Sequence, residues 1–171
     1  MKNLLNFQKN LIFKLPNLKW AAIWAVAVFT ANYIISNTLI LAGVLPPPTE
    51  AVYDLFRTVF KLGYSIVIII SMVSSVEEII PFVASVYWFL LFSKNKDYVS
   101  ILKNVVLFSI LLGLTFFFTI NHDYQGMAAM LGKVLYLPIS MSIMMRYGLL
   151  TCMLGHFLCN FTQLTYYYFT L

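Results

Sequence analysis

Two adjacent acids, Glu77 and Glu78, sit inside an apolar run from Leu62 to Phe92 that holds no other charged residue. A charge at bilayer depth costs roughly 2.5 to 3.5 kcal/mol, so an uncompensated pair would cost about 5 to 7 kcal/mol. Such a pair calls for polar partners from elsewhere in the chain. His122, His156 and Asn160 are candidates, because each is polar and lies in or beside an apolar segment. His156 and Asn160 are four residues apart, as are Phe118 and His122, so each pair shares one helical face. An imidazole and an amide one turn apart can point at a single atom, which is what donors to an oxyanion need. A carboxylate raised in pKa by burial and steadied by a histidine is in turn suited to take a proton from water.

Each of these residues also has a plainer explanation. A lone histidine or asparagine in an apolar helix commonly hydrogen-bonds to a neighbouring helix. The acids alone could form a proton or cation site. Cys152, His156 and Cys159 share a face and invite a zinc site, but apolar spans commonly bury free cysteine, so no metal or other cofactor is expected. With both cysteines inside one apolar span, the disulfide framework of a secreted domain is excluded.

The elements that must carry these groups are helices in a membrane. The 171 residues are 61% hydrophobic and only 10% charged, with a mean hydropathy of +0.86, against about 25% charged residues in soluble domains. The expected fold is all-α, a polytopic transmembrane bundle of five to six spans, with no separate soluble domain. Residues 1–19 place Lys2, Lys9 and Lys14 against Leu4, Leu5, Leu11 and Ile12 near a helical period, which predicts an amphipathic cytoplasmic helix on the membrane surface. Residues 20–171 form the membrane domain. Its first span runs from Trp20 to Leu45 and is ended by Pro46, Pro47 and Pro48. The net charge of +5 is concentrated near the amino terminus and forms no dense patch, so it speaks for membrane orientation and against nucleic acid as a partner.

From Thr49 to Phe92 the chain is about twice as long as one span, so it must break. Either an interfacial helix with Glu50, Asp54, Arg57 and Lys61 precedes a single tilted span, or a break falls at Ser74-Ser75, where Ser75 and Glu78 have the spacing of a capping box. Further spans are expected at Tyr98–Ile120, at Met127–Met145 with a kink at Pro138, and at Leu149–Phe169.

Glu77-Glu78, then Phe118 to His122, then His156 to Asn160, in that order on successive helices, resemble the motifs of the CAAX protease and bacteriocin-processing family of glutamic intramembrane endopeptidases. Tyr147-Gly148-Leu149-Leu150 is similar to the glycine turn that leads into the family's last motif helix. The resemblance covers about residues 63–165. It implies hydrolysis of a peptide bond in a peptide or protein substrate, with Glu77 as the base for water and His122 orienting or sharing that proton. His156 and Asn160 would hold the oxyanion, and Glu78 would be a supporting acid. Phe82 stands where the family motif has arginine, which removes the partner expected for one carboxylate.

The site would lie in a multi-pass protein of the cell membrane, in contact with lipid. The many Lys, Asn, Ile and Phe residues suit an AT-rich genome and a bacterial plasma membrane. Five spans would satisfy the positive-inside rule, whereas six would bring Glu77, His122, His156 and Asn160 to a common depth, which favours six. Two other functions fit the same residues: a non-cleaving bacteriocin-immunity or membrane-binding protein of this fold, and a small proton-coupled carrier using Glu77, Glu78 and His122 as a relay. Neither the substrate nor the oligomeric state can be read from the sequence.

Overall fold

In the computed structural model, residues 6, 11–44, 46, 50–92, 106, 109–110, 113, 136 and 139–171 are described. Among them every regular element is a helix. Of the amphipathic helix expected over residues 1–19, only Asn6 and residues from Leu11 onward are described. Leu11 and Ile12 are helical, and Leu11 is buried in the central core rather than laid on a surface.

Helix α1 runs from Leu18 to Leu41. Asn17 caps it, its side-chain oxygen accepting the backbone N–H of Trp20 at 3.2 Å, which satisfies one of the first-turn donors left open in any helix. The helix ends before the expected Leu45 and without help from the prolines. Gly43 adopts φ +68° and its N–H reaches the carbonyl of Ile40, while that of Val44 reaches Leu39, a Schellman closure that stops the helix at Leu41.

Helix α2, Glu50–Phe60, is short and amphipathic. Its outer face carries Arg57, bonded to Glu50 at 2.7 Å and to Asp54 at 2.9 Å, and those two acids hold the guanidinium above its ordinary pKa, Glu50 more than Asp54. Its inner face sets Phe56 against Tyr167 and Phe60 against Tyr168. Gly63, at φ +95°, then turns the chain.

Helix α3 (Ser65–Ser74), a 3₁₀ turn (Ser75–Glu78) and helix α4 (Ile79–Phe92) follow without a break in helical backbone. The break that six spans require at Ser74-Ser75 is therefore absent. Ser75 does not cap a new helix: its hydroxyl donates back to the carbonyl of Met72 at 2.7 Å, and Ser71 and Ser74 likewise bond to the preceding turn. The turn tightens beside Pro81, which has no N–H to offer the carbonyl of Glu77. The break lies instead at Gly63, the first of the two alternatives.

Among the described residues one stretch, Ser65–Val86, is long and apolar enough to cross a membrane, and Leu18–Ala31 is apolar but shorter. Less than a third of the Ser65–Val86 stretch is buried within the protein, and its apolar side chains Ile69, Met72, Val73, Val76 and Ile79 face outward. Helix α5 (139–147) leads through Gly148, at φ +91°, into helix α6, Leu149–Thr170. The last expected span is thus a helix, but Thr151, His156, Asn160 and Gln163 leave it too polar to count as a span on composition.

Helix α6 is the central post. Helix α1 packs along it in parallel, with Asn17 bonded to Thr151 and Ala21 and Trp24 against Gly155. Helix α3 and the 3₁₀ turn run antiparallel to it, with Tyr64 beside Thr165, Ser74 beside Asn160 and Glu78 beside His156. Trp24, Val28, Tyr136, Met144 and Cys152 fill the centre.

Candidate active site

Glu78 is fully buried, an expensive place for a carboxyl group unless it is matched. Its Oε1 lies 3.1 Å from Nδ1 of His156 and accepts the hydroxyl of Tyr136. That hydroxyl is also 3.2 Å from the same Nδ1, so carboxylate, phenol and imidazole form a closed triangle. Among the described residues Oε2 of Glu78 has no hydrogen-bond partner.

The register that produces this contact comes from the 3₁₀ turn. Tightening from 3.6 to about 3.0 residues per turn shifts which side chains face inward. Here Glu78 points into the bundle and Glu77 is half-buried beside it, within electrostatic reach of Tyr136.

His156 is fixed from three sides. Beyond the triangle, the indole of Trp24 stacks on its ring at a centroid distance of 5.5 Å. Trp24 is itself held by Nε1 donating to Ser140 at 3.0 Å, and it approaches so closely because residue 155 is glycine. A Cβ there would meet Cε3 of Trp24 and the carbonyl oxygen of Ala21, each at 2.9 Å. Among the described residues Nδ1 is committed to Glu78 and Tyr136, and Nε2 is the imidazole nitrogen left to act on a ligand.

Asn160 lies one turn further along α6 and donates through Nδ2 to Ser74 at 2.7 Å. It retains a second N–H and its carbonyl oxygen. His156, Asn160 and Tyr136 border one small pocket, with room for about one water, whose other wall is Trp24 and Val28.

The structure therefore brings together Glu78, His156 and Asn160, with Glu77 adjoining them. His122 and Phe118 lie outside the described residues. Phe82, at the motif's arginine position, packs against the central apolar cluster. Cys152 bonds to the carbonyl of Ser140 while Cys159 borders the pocket, and among the described residues no three His, Cys, Asp or Glu side chains gather as a metal site. Sequence reasoning missed Tyr136 and Trp24. The available signals were faint, a tyrosine and a serine four apart at 136 and 140, and a tryptophan well inside an apolar helix. No protein-family model, curated protein or solved structure matches this chain.

Proposed function

We propose that this chain is a multi-pass intramembrane endopeptidase that hydrolyses a peptide bond with glutamate-activated water, as its likeness to the CAAX protease and bacteriocin-processing family implies. The observation that carries the proposal is the buried Glu78–His156 contact with Asn160 one turn away, both α6 side chains bordering one pocket. Glu77 would take a proton from water, and the hydroxide would add to the substrate carbonyl. His156 and Asn160 would donate to the resulting oxyanion, and the amine would leave with the proton held by Glu77. Glu78 then has a distinct part, to hold the imidazole of His156 in place through Nδ1. His122 completes the base in this scheme.

The topology we propose is five spans with a cytoplasmic amino terminus. Parallel packing of α1 and α6 fits an odd number of crossings, counted from the first span through the last. Lys14, Lys19 and Arg146 lie at the end where α1 and α6 begin, as the positive-inside rule prefers, and Trp20 stacks on Tyr147 there. Tyr64, Tyr166, Tyr167 and Tyr168 gather at the opposite end, the aromatic belt of the other interface.

The test is a comparison of peptide termini from membranes containing the wild type with those containing Glu77→Ala, His122→Ala or His156→Ala. Hydrolysis predicts internal cleavage products that only the wild type generates, with all four proteins equally inserted. Identical products from wild type and Glu77→Ala would remove the mechanism. A second possibility, a non-cleaving immunity or membrane-binding protein of the same shape, draws support from Phe82, whose packing in the apolar cluster takes the place of the arginine. It predicts no such products from any of the four. A proton relay is less favoured, because the titratable groups Glu78, Tyr136 and His156 close on one another in a triangle, and among the described residues no file of such groups continues from it across the bundle.

A further inference from the structure

The bonds around His156 have a direction as well as a geometry, and the direction starts at Trp24. An indole N–H can only donate, so Oγ of Ser140 accepts from it at 3.0 Å. Ser140 is also hydrogen-bonded to Tyr136, one helical turn away. The Tyr136 hydroxyl has a single hydrogen and gives it to Oε1 of Glu78, so in its bond with Ser140 it accepts. Two edges of the triangle remain to be supplied, 3.1 Å from Nδ1 to Oε1 and 3.2 Å from Nδ1 to the tyrosine oxygen. The second edge decides where the hydrogen sits. A proton on Oε1 donated to Nδ1 would leave the imidazole lone pair facing the lone pairs of the tyrosine oxygen, an unmade contact among fully buried groups. A hydrogen on Nδ1 serves both edges at once, forked between Oε1 and the tyrosine oxygen.

We propose that Tyr136 and Ser140 are positioning residues which, with Glu78, hold singly protonated His156 with its hydrogen on Nδ1, so that Nε2 presents a lone pair. The nitrogen that carries the hydrogen is set by the bond the ring makes, and here Nδ1 is the engaged one. The proposal deepens the peptidase function above, and its meaning for catalysis rests on that function. In the resting site Nε2 is an acceptor, so what it binds is a hydrogen-bond donor. The pocket that His156 and Asn160 border has room for about one water. A water there would give a hydrogen to Nε2 and receive the N–H that Asn160 does not spend on Ser74. Donation from Nε2 to an oxyanion then begins only once the ring has bound a second proton at Nε2.

Nitrogen-15 NMR of histidine-labelled protein in nanodiscs tests this, because ring nitrogens with and without hydrogen resonate far apart. The chain has two histidines, so His122→Gln leaves His156 as the one labelled ring and serves as the parent. At about pH 9, above the usual range of histidine, the hydrogen is expected on Nδ1, with the Nε2-bound form below about a tenth. Tyr136→Phe removes the fork and should raise the Nε2-bound form about 2- to 10-fold. Ser140→Ala acts one bond further away and should raise it less. Gln163→Ala, exposed and outside the chain of bonds, should leave it unchanged. Thermal unfolding checks each variant, and if Tyr136→Phe fails to fold, Ser140→Ala decides. Hydrogen on Nε2 of the parent, with or without one on Nδ1, overturns the proposal. So does a tautomer that neither Tyr136→Phe nor Ser140→Ala alters. Hydrogen on Nδ1 in a protein whose wild-type membranes show no cleavage products would leave the chain of bonds standing and remove the peptidase function. Cleavage by the wild type together with hydrogen on Nε2 would do the reverse.

Discussion

Among the described residues Glu78 is bonded through one oxygen, and that asymmetry fixes what substitution there should do. Removing the carboxyl leaves the Tyr136 hydroxyl and Nδ1 of His156 buried without their shared acceptor. Glu78→Ala is expected to destabilise the protein by about 3 to 5 kcal/mol, the range for breaking one side of a buried polar pair. Glu78→Gln keeps an acceptor for Tyr136 and should cost only about 1 to 2 kcal/mol. Unfolding in mixed micelles measures both, and equal midpoints for the two variants would show that the triangle contributes little. The pairing of His156 with Asn160 was legible from a spacing of four in one helix. Which glutamate meets His156 was not, because a capping-box pattern and a 3₁₀ turn share the same letters at Ser75–Glu78, and only the serine back-bonding beside Pro81 separates them. Tyr136 was illegible for another reason: it is one of eleven tyrosines, and its partner lies 58 residues away.

At the scale of elements, two glycines decide how the helices meet, and they should respond differently to the same change. Gly155→Ala sets a methyl group against the backbone oxygen of Ala21 and the ring of Trp24, neither of which can retreat without moving α1. An overpacking cost of about 1 to 3 kcal/mol is expected, together with weaker stacking of Trp24 on His156. Gly63→Ala meets no atom within 4 Å, so its cost comes only from the positive φ, about 1 to 2 kcal/mol. Thermal unfolding gives both costs. The tryptophan emission spectrum separates them, since only Gly155→Ala should change it, and a shifted spectrum in Gly63→Ala would contradict the assignment. Helix positions were readable from the apolar runs, but their ends were not. The prolines at 46–48 are the stronger stop signal in the sequence, yet the backbone closure at Gly43 ends α1 first. Likewise the chain turns at Gly63 and not at the two serines.

At the scale of the whole molecule, orientation follows from how the helices pair rather than from the composition of any one. Counting apolar runs left five and six crossings open, because the 44 residues from Thr49 to Phe92 could be divided in two ways. Parallel contact between the first and last helices is the support for the five spans proposed above, where hydropathy alone does not choose. Asn17 meets Thr151 and Ala21 meets Gly155, so the two helices start at the same face. Two helices that start at one face of a bilayer and both cross it are separated by an odd number of intervening crossings, and three such crossings would give the five proposed above. The two chain termini should then lie on opposite sides of the membrane. Fusion of a fluorescent protein after Leu171, which fluoresces only in the cytoplasm, should give dark cells, and alkaline phosphatase at the same place should be active. Both reporters fused before α1 should give the reverse. A fluorescent fusion at each terminus would mean an even number of crossings, and the parallel packing of α1 with α6 could not then be that of two spans.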